Sequence, residues 1–416
     1  MIFTWVTHLE GWRGGSMIQL LMTHKPSSSP IARSALASIS IGIIVRNEEQ
    51  AIRPMLASLF RQNLFAELGA RGWAAEILCI ANACTDRTAE IAEAILGEQT
   101  KTHPDSAAFS ARVISLSRPG KLSAWNQFVH RFSAREAECL FLMDGDIVLH
   151  YPETLWNMYR ALESDATANV ATDEPLKDIS LKRRKSVKER MSLATSRMAK
   201  NRPAQLSGQL YCIRSEVARN IYLPRDLSAC EDGFIKALVC TDFLTRELAT
   251  NRITRAADAS HIFEAYTRWR DIIRNQKRQM IGQTIVHILI DDYLRTLRIE
   301  ERLKLAETLQ DKDRLDPEWL RRLIVAHIQR TRWFWKLFPD ALGYPFRRLE
   351  GIPGARKLHF PSALAGFGVT VISCWMAYRM LKRGYTNYWP DTQSPRLRVL
   401  AERPGPAAHV CDLTPQ

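Results

Sequence analysis

Along the first 150 residues, short apolar runs alternate with polar loops and with segments whose apolar positions recur at helical spacing. Residues 38–45 (SISIGIIV) form a β-branched run that stops at Arg46-Asn47-Glu48-Glu49. A run that is apolar at successive positions predicts a strand buried on both faces, as in a parallel sheet. Met55, Leu56, Leu59 and Phe60 then mark one face of a helix. A second strand is predicted at 77–80, closing on Asn82-Ala83-Cys84-Thr85-Asp86, with a helix over 89–96 capped by Thr85 or Asp86. A third strand, at 112–116, leads through Pro119-Gly120-Lys121 into a helix over 122–135. A fourth, 139–143 (CLFLM), runs straight into Asp144-Gly145-Asp146.

Strand, loop and helix in alternation imply an α/β fold, a Rossmann-like and mostly parallel sheet flanked by helices. Such sheets bind ligands outside the carboxyl ends of their strands. The polar clusters at 47–49, 82–86 and 144–146 therefore converge on one crevice. After residue 176 the pattern changes. Residues 177–202 are dense in Lys and Arg, 205–213 (QLSGQLYCI) return to strand-like composition, and Glu231-Asp232-Gly233 opens a short helix. From Thr267 onward the pattern is long, basic and helical, and 360–381 is the most apolar stretch of the chain. The expected organisation is a loose leader (1–36), an α/β domain (37–285), a basic helical region (286–389) containing an apolar segment (361–381), and a disordered tail (390–416).

Composition narrows this only in part. With 46% hydrophobic and 25% charged residues over 416 positions, wholesale disorder is excluded. A formal net charge of +14 asks for an anionic partner: nucleic acid, anionic lipid or a phosphorylated substrate. The eight cysteines include no CxxC pair, and Cys79, Cys139, Cys212 and Cys240 sit in apolar runs, as expected of reduced thiols in a cytosolic domain. The first 33 residues lack the long apolar core of a cleaved signal peptide, so none is expected.

Two carboxylate pairs carry the candidate chemistry. Asp144 and Asp146, one residue apart at a strand end, can hold a hard divalent cation, Mg²⁺ or Mn²⁺, which would neutralise a diphosphate leaving group. An ordinary Asp-Gly surface turn is the alternative, against which the very apolar strand before it speaks. A carboxylate of Glu231-Asp232 can take the proton of an attacking hydroxyl, or the pair can simply favour a helix N-terminus. Lys121 can reach phosphate as a point charge, or be solvated.

Six pieces, SIGIIVRNEEQAI (40–52), EILCIANACTDRTAEIA (76–92), GKLSAWN (120–126), FLMDGDI (141–147), SGQLYCIR (207–214) and CEDGFI (230–235), resemble in order and spacing the family-2 glycosyltransferases, which have the GT-A fold. The resemblance implies transfer of a sugar from a nucleotide-diphosphate sugar to a hydroxyl acceptor by in-line displacement with inversion. It gives Glu48, Glu49, Asn82, Asp86 and Lys121 to the donor. Asp144 and Asp146 match the DXD motif, with Asp146 binding the metal directly, and Asp232 matches the base, with Glu231 beside it. Ala81 departs from the family's frequent Asp, which leaves base recognition to Asn82. The processive QxxRW motif is replaced by Gln276-Lys277-Arg278-Gln279-Met280, which favours single transfer over polymer synthesis. His261 is a further candidate metal ligand; a structural histidine is the alternative.

The basic run at 177–202 falls on the acceptor side of such a fold, where a basic helix can rest on anionic lipid or be an ordinary solvated helix. Trp333-Phe334-Trp335-Lys336-Leu337-Phe338 mixes aromatics and cations, as interfacial segments do. Residues 361–381 contain no acid and reach the lower end of transmembrane length; a spanning, re-entrant, membrane-lying or buried helix all remain open. The expected location is the cytoplasmic face of a membrane, peripheral or anchored by this helix, with a lipid or lipid-linked glycan among the candidate acceptors. A GT-A-like nucleotidyltransferase would want a Gly-rich phosphate loop after the first strand, which Arg46-Asn47-Glu48-Glu49 does not supply. A nucleic-acid-binding protein is suggested by charge alone, without zinc spacing or an RNA-binding signature, and no nucleic acid is expected as partner.

Overall fold

The computed structural model describes residues 37–186, 189–190, 193, 205–228, 230–266, 268–331, 333–338, 341–343, 346 and 356–384. The leader, most of the second half of the basic run and the tail expected from sequence lie outside them. The described strands are β1 (Ala37–Val45), β2 (Ala74–Asn82), β3 (Phe109–Leu116), β4 (Cys139–Asp144), β5 (Ile147–Leu149), β6 (Val170–Lys177), β7 (Leu210–Arg214) and β8 (Ile253–Phe263). They form one sheet in the spatial order β3-β2-β1-β4-β7-β6-β8-β5. β1 is flanked by β2 and β4 and pairs parallel with both, and β2 pairs parallel with β3. This is the parallel half read from the sequence. Beyond β4 the sheet is mixed: β7 runs antiparallel to β4 and β6, β8 parallel to β6, and β5 antiparallel to β8.

Alternation along the strands builds two cores. Ile39, Ile41, Ile43 and Val45 of β1, with Ile77 and Cys79 of β2, face one side; Ile44, Leu78 and Ile80 face the other. The first face is covered by α1 (Ile52–Leu59), α2 (Leu64–Ala70), α3 (Thr88–Thr102) and α5 (Thr154–Ser164). On the second lie α4 (Lys121–Gln127), α6 (Glu231–Cys240) and α7 (Trp269–Asp292). Each fully buried Leu or Ile contributes roughly 1.5–3 kcal/mol relative to exposure, so the layered burial fixes which strand ends meet at the crevice.

Several local details differ from expectation. The helix expected over 122–135 is α helical only to Gln127 and then widens into a π turn, Phe128–Phe132, closed by Ser133 N–H donating to Phe128 O at 2.8 Å. The turn drives Phe128 against β1, where only a glycine leaves room: a Cβ on Gly42 would lie 2.7 Å from the Phe128 ring. Neither Thr85 nor Asp86 is the N-cap of α3. That position is Arg87, and Asp86 instead accepts the Thr88 N–H from one residue further back, at 3.0 Å. β5, β6, β8, α2 and α5 were not anticipated. β6 carries Asp173, Glu174 and Pro175, and β8 bends at Asp258, whose φ is 50°, so neither shows clean alternation.

α7 runs through the 285/286 boundary expected between the α/β domain and the helical region. The helices that follow, including α8 (Leu305–Leu315), α9 (Trp319–Arg330) and α10 (Arg356–Lys382), share the second core with it. In α10, Ser373, Cys374, Ala377 and Leu381 are fully buried, and Thr370 Oγ1 accepts from Gln276 Nε2 at 2.9 Å. Among the described residues no helix is long and apolar enough to cross a membrane, so the spanning form of the 361–381 segment is not what this structure has.

The Gly42–Phe128 contact has a direct consequence for stability. Gly42→Val should destabilise the protein by about 1–3 kcal/mol through overpacking, read as a lower denaturant midpoint. An unchanged midpoint contradicts the packing described.

Candidate active site

The loops after β1 and β2 are tied to each other before they can meet any ligand. Asn47 and Ala83 both take left-handed backbone angles, φ 52° and 50°, which turn the chain sharply at the strand ends. Asn47 Oδ1 accepts the Thr85 N–H at 2.8 Å; the Glu48 N–H donates to Thr88 Oγ1 at 2.8 Å; the Glu49 N–H donates to Asp86 Oδ2 at 3.2 Å. Asp86 thus spends both oxygens on loop geometry, the other on Thr88. Glu49 reaches back to the Arg87 N–H at 3.4 Å. Glu48 is buried. Asn82 is fully buried as well, and neither end of its side-chain amide has a hydrogen-bond partner. Beside these loops lies a cavity of about 310 Å³ lined by Ala81, Ala83, Cys84, Thr85, Ala89, Ser115, Leu116 and Ser117.

Three motifs far apart in sequence meet at Lys121. Gly120, at φ 152°, allows the turn that starts α4 on Lys121. The ammonium lies 2.8 Å from Asp144 Oδ1, 3.0 Å from Asp144 Oδ2 and 2.9 Å from Glu231 Oε1. Asp144 is the last residue of β4, and its N–H donates to Gln209 O at 2.9 Å. Gly145 packs on Val45, leaving no room for a Cβ, so the turn between the two acids is pinned to the end of β1. Glu231 and Asp232 open α6, whose N-cap, Cys230, is left-handed at φ 77° and makes no side-chain cap bond. Gly208 lies against this pair: its Cβ would sit 3.4 Å from Asp232 Cβ and from Glu231 Oε1.

Electrostatics in the cluster follow from one lysine among several acids. Burial works against charge on Lys121, but Asp144 and then Glu231 outweigh it and hold the ammonium above its ordinary range. Asp144 is pushed up to about 7 by burial, opposed by Lys121 and reinforced by Asp146. Burial also opposes ionisation of Glu231, yet Lys121 wins and holds that carboxyl below its ordinary value. Asp232 is pushed up to about 6, first by burial and then by the Glu231 charge.

His261 is reached by a different route. It is fully buried on β8, its Nδ1 2.7 Å from Asp173 Oδ2 of β6 and its Nε2 3.4 Å from Gln209 Oε1. A carboxylate on one ring nitrogen is how a ligand histidine is usually oriented. Among the described residues, however, no three His, Cys, Asp or Glu side chains are grouped so as to hold a metal ion, so His261 does not join Asp144 and Asp146 as a ready ligand set.

Residues 40–214 match the family model for glycosyl transferase family 2. They are a glycosyl transferase family 2 domain. The matched stretch contains the loops after β1 and β2, Lys121, Asp144 and Asp146; it ends before Glu231, Asp232 and His261. No curated protein sequence matches the chain. Among solved structures, it is similar to the mannosyltransferase PcManGT of Pyrobaculum calidifontis, determined with GDP-Man and Mn²⁺, at 14% identity and a TM-score of 0.46 over 86% of this chain and 90% of that one. It is also similar to the glucosyl-3-phosphoglycerate synthase of Mycobacterium tuberculosis, at 15% identity and 0.38 over 60% and 78%. S. aureus TarS follows at 15% and 0.38 over 84% and 91%. All three scores are under 0.5, and the assignment rests on the family match.

Two residues of the crevice were not singled out from sequence. Arg278 is half-buried on α7 with its Nε unpaired, and its charge acts on Glu231 and Asp144. It stands in the very stretch read as lacking the processive motif, and helical spacing alone does not show which way it faces. Gly208 lay within a recognised motif, but its close approach to Glu231 and Asp232 follows only from the fold.

Proposed function

We propose that this glycosyltransferase moves a sugar from a nucleoside-diphosphate-sugar donor to a hydroxyl acceptor, with inversion, and that Asp232 is the general base. The observation that carries the reading is the meeting of Asp144 and Glu231 on one ammonium. It joins the first carboxylate pair to the second in a single crevice, as a displacement with a leaving diphosphate on one side and an entering hydroxyl on the other requires. On the donor side the cavity lined by Ala81, Ala83 and Ser115 is open to a nucleobase. Glu48, Glu49, Asn82 and Asp86 belong to the surrounding loops, and Lys121 offers positive charge to phosphate.

Asp144 and Asp146 suit Mg²⁺ or Mn²⁺: both are hard oxygen donors at a strand end, and such ions commonly take one or two carboxylates with substrate phosphates and water. Burial and, after it, the neighbouring Asp146 charge push Asp144 up to about 7, and a divalent cation beside it would favour its ionised form. When bound, the ion neutralises charge on the departing diphosphate. Asp232 accepts the acceptor's proton as its oxygen attacks the anomeric carbon. Glu231, kept ionised by Lys121, raises the basicity of its neighbour.

A membrane surface as partner is supported by one face of α10. Leu364, Ile372 and Trp375 are exposed on it at helical spacing, opposite the buried face. Trp333 and Trp335 are also exposed and stack on each other at 4.7 Å, and Phe334, between them in sequence, lies 6.1 Å from Tyr378 of α10. Arg379 lies over Trp375 at 4.8 Å and Lys382 near Tyr378 at 5.9 Å. An apolar aromatic stripe edged by cations, without acids in the helix, fits peripheral contact with an anionic bilayer. A lipid or lipid-linked acceptor follows from that location.

Asp232→Asn should lower kcat by about 10² to 10⁴ with little change in donor affinity. The wild-type rate should rise with pH through about 6, because the base works only when ionised, and Glu231→Gln should move that rise to lower pH. Near-normal turnover of Asp232→Asn would reject it as base. In flotation with phosphatidylglycerol vesicles, the full chain should float with the lipid. Replacing Trp333, Trp335 and Trp375 by Ala should leave most of it behind. Equal flotation of both proteins, or none by the wild type, contradicts the membrane reading.

A further inference from the structure

Lys121 holds Asp144 through both carboxylate oxygens, the same carboxylate that a divalent ion would use. An ammonium with three N–H donors and a divalent cation satisfy the same lone pairs, and a carboxylate so engaged cannot serve both fully. The bridge has a second arm. Lys121 keeps Glu231 Oε1 at 2.9 Å, so losing Asp144 would not strand its charge in the half-buried crevice. Among the described residues, Arg278 is a second cation whose charge reaches the cluster. Arg278 acts on Glu231 and Asp144 at a distance, and no hydrogen bond or ion pair joins it to either.

We propose that Lys121 is a built-in competitor for the metal site: it occupies Asp144 in the donor-free protein, and a divalent cation must displace it. This rests on the metal reading of Asp144 and Asp146 given above. Its consequence is order. Alone, the cation binds weakly because it must break the Lys121–Asp144 pair. With a nucleoside diphosphate present, the released ammonium finds phosphate oxygens in place of Asp144. Metal and donor therefore bind cooperatively through one positioning residue, and the donor-free enzyme is protected from a tightly held idle ion.

The test is calorimetric titration of MnCl₂ into the purified full chain without donor. Lys121→Met should bind Mn²⁺ about ten- to a hundredfold more tightly than the wild type, the size expected for losing a charged hydrogen-bonded competitor. Arg278→Met removes the same charge without a direct bond and should tighten binding by less than about threefold, as for a screened charge at longer range. Uridine diphosphate or guanosine diphosphate should strengthen Mn²⁺ binding in the wild type by a larger factor than in Lys121→Met, where only direct coordination of the ion by phosphate oxygens remains. If Lys121→Met does not fold by circular dichroism, Lys121→Gln, which keeps a donor for Glu231, carries the same expectation. Equal or weaker Mn²⁺ binding by the Lys121 variant overturns the proposal, and so does equal tightening by Arg278→Met. Absence of Mn²⁺ binding in the wild type and in every variant overturns the metal reading itself, and the competition with it.

Discussion

The ion-pair bridge of Lys121 to Asp144 and Glu231 is the constraint on which the site depends. Without a cation between them, these two half-buried carboxylates, with Asp146 and Asp232 beside them, repel one another in a region of low dielectric. With it, the end of β4, the start of α4 and the start of α6 are held to one point. The rest of the fold serves this meeting. The two-faced burial of β1 and β2 sets the sheet, Gly42 lets the helix after Lys121 press close through Phe128, and Gly145 lets the acidic turn sit on Val45. Burial lifts Asp144 and Asp232, with the neighbouring acid charges adding to it, while at Glu231 the Lys121 ammonium outweighs burial and holds the carboxyl down.

The first half of this architecture was legible because each of its strands is short, apolar at successive positions and bounded by a polar cluster. Ile39, Ile41 and Ile43 announce a strand whichever face they take, and Asp144-Gly145-Asp146 stands out because it follows CLFLM. The second half was not, for reasons visible in particular residues. β6 contains Asp173, which is buried only because His261 from β8, 88 positions on, pairs with it. β8 is broken by the left-handed Asp258 and exposes alternate stretches, so its pattern is neither that of a core strand nor of an edge strand. Pairings of that range leave no local trace.

The site divides in the same way. Lys121, Asp144, Glu231 and Asp232 could be named from motifs, but that one lysine bridges two of the acids could not. Asp86 and Asn82 show the reverse. Both sit in a recognisable loop, yet Asp86 is engaged in tying that loop to the one after β1, and Asn82 is wholly buried with an unpaired amide. The C-terminal helix shows what an apolar stretch leaves undecided. Its length left spanning, re-entrant, membrane-lying and buried forms open, and in the fold one side packs into the core through Cys374 and Ala377 while the other faces outward.

The central claim is that the Asp144–Asp146 turn and the Glu231–Asp232 pair form one sugar-transferring crevice. It is tested most directly by incubating the purified chain with a panel of nucleotide sugars and Mn²⁺ and measuring released nucleotide. At least one donor should be consumed, and release should vanish both in excess chelator and in Asp146→Ala, with the circular dichroism of the variant unchanged. Undiminished release from the Asp146→Ala protein, or from the wild type in excess chelator, would contradict the account.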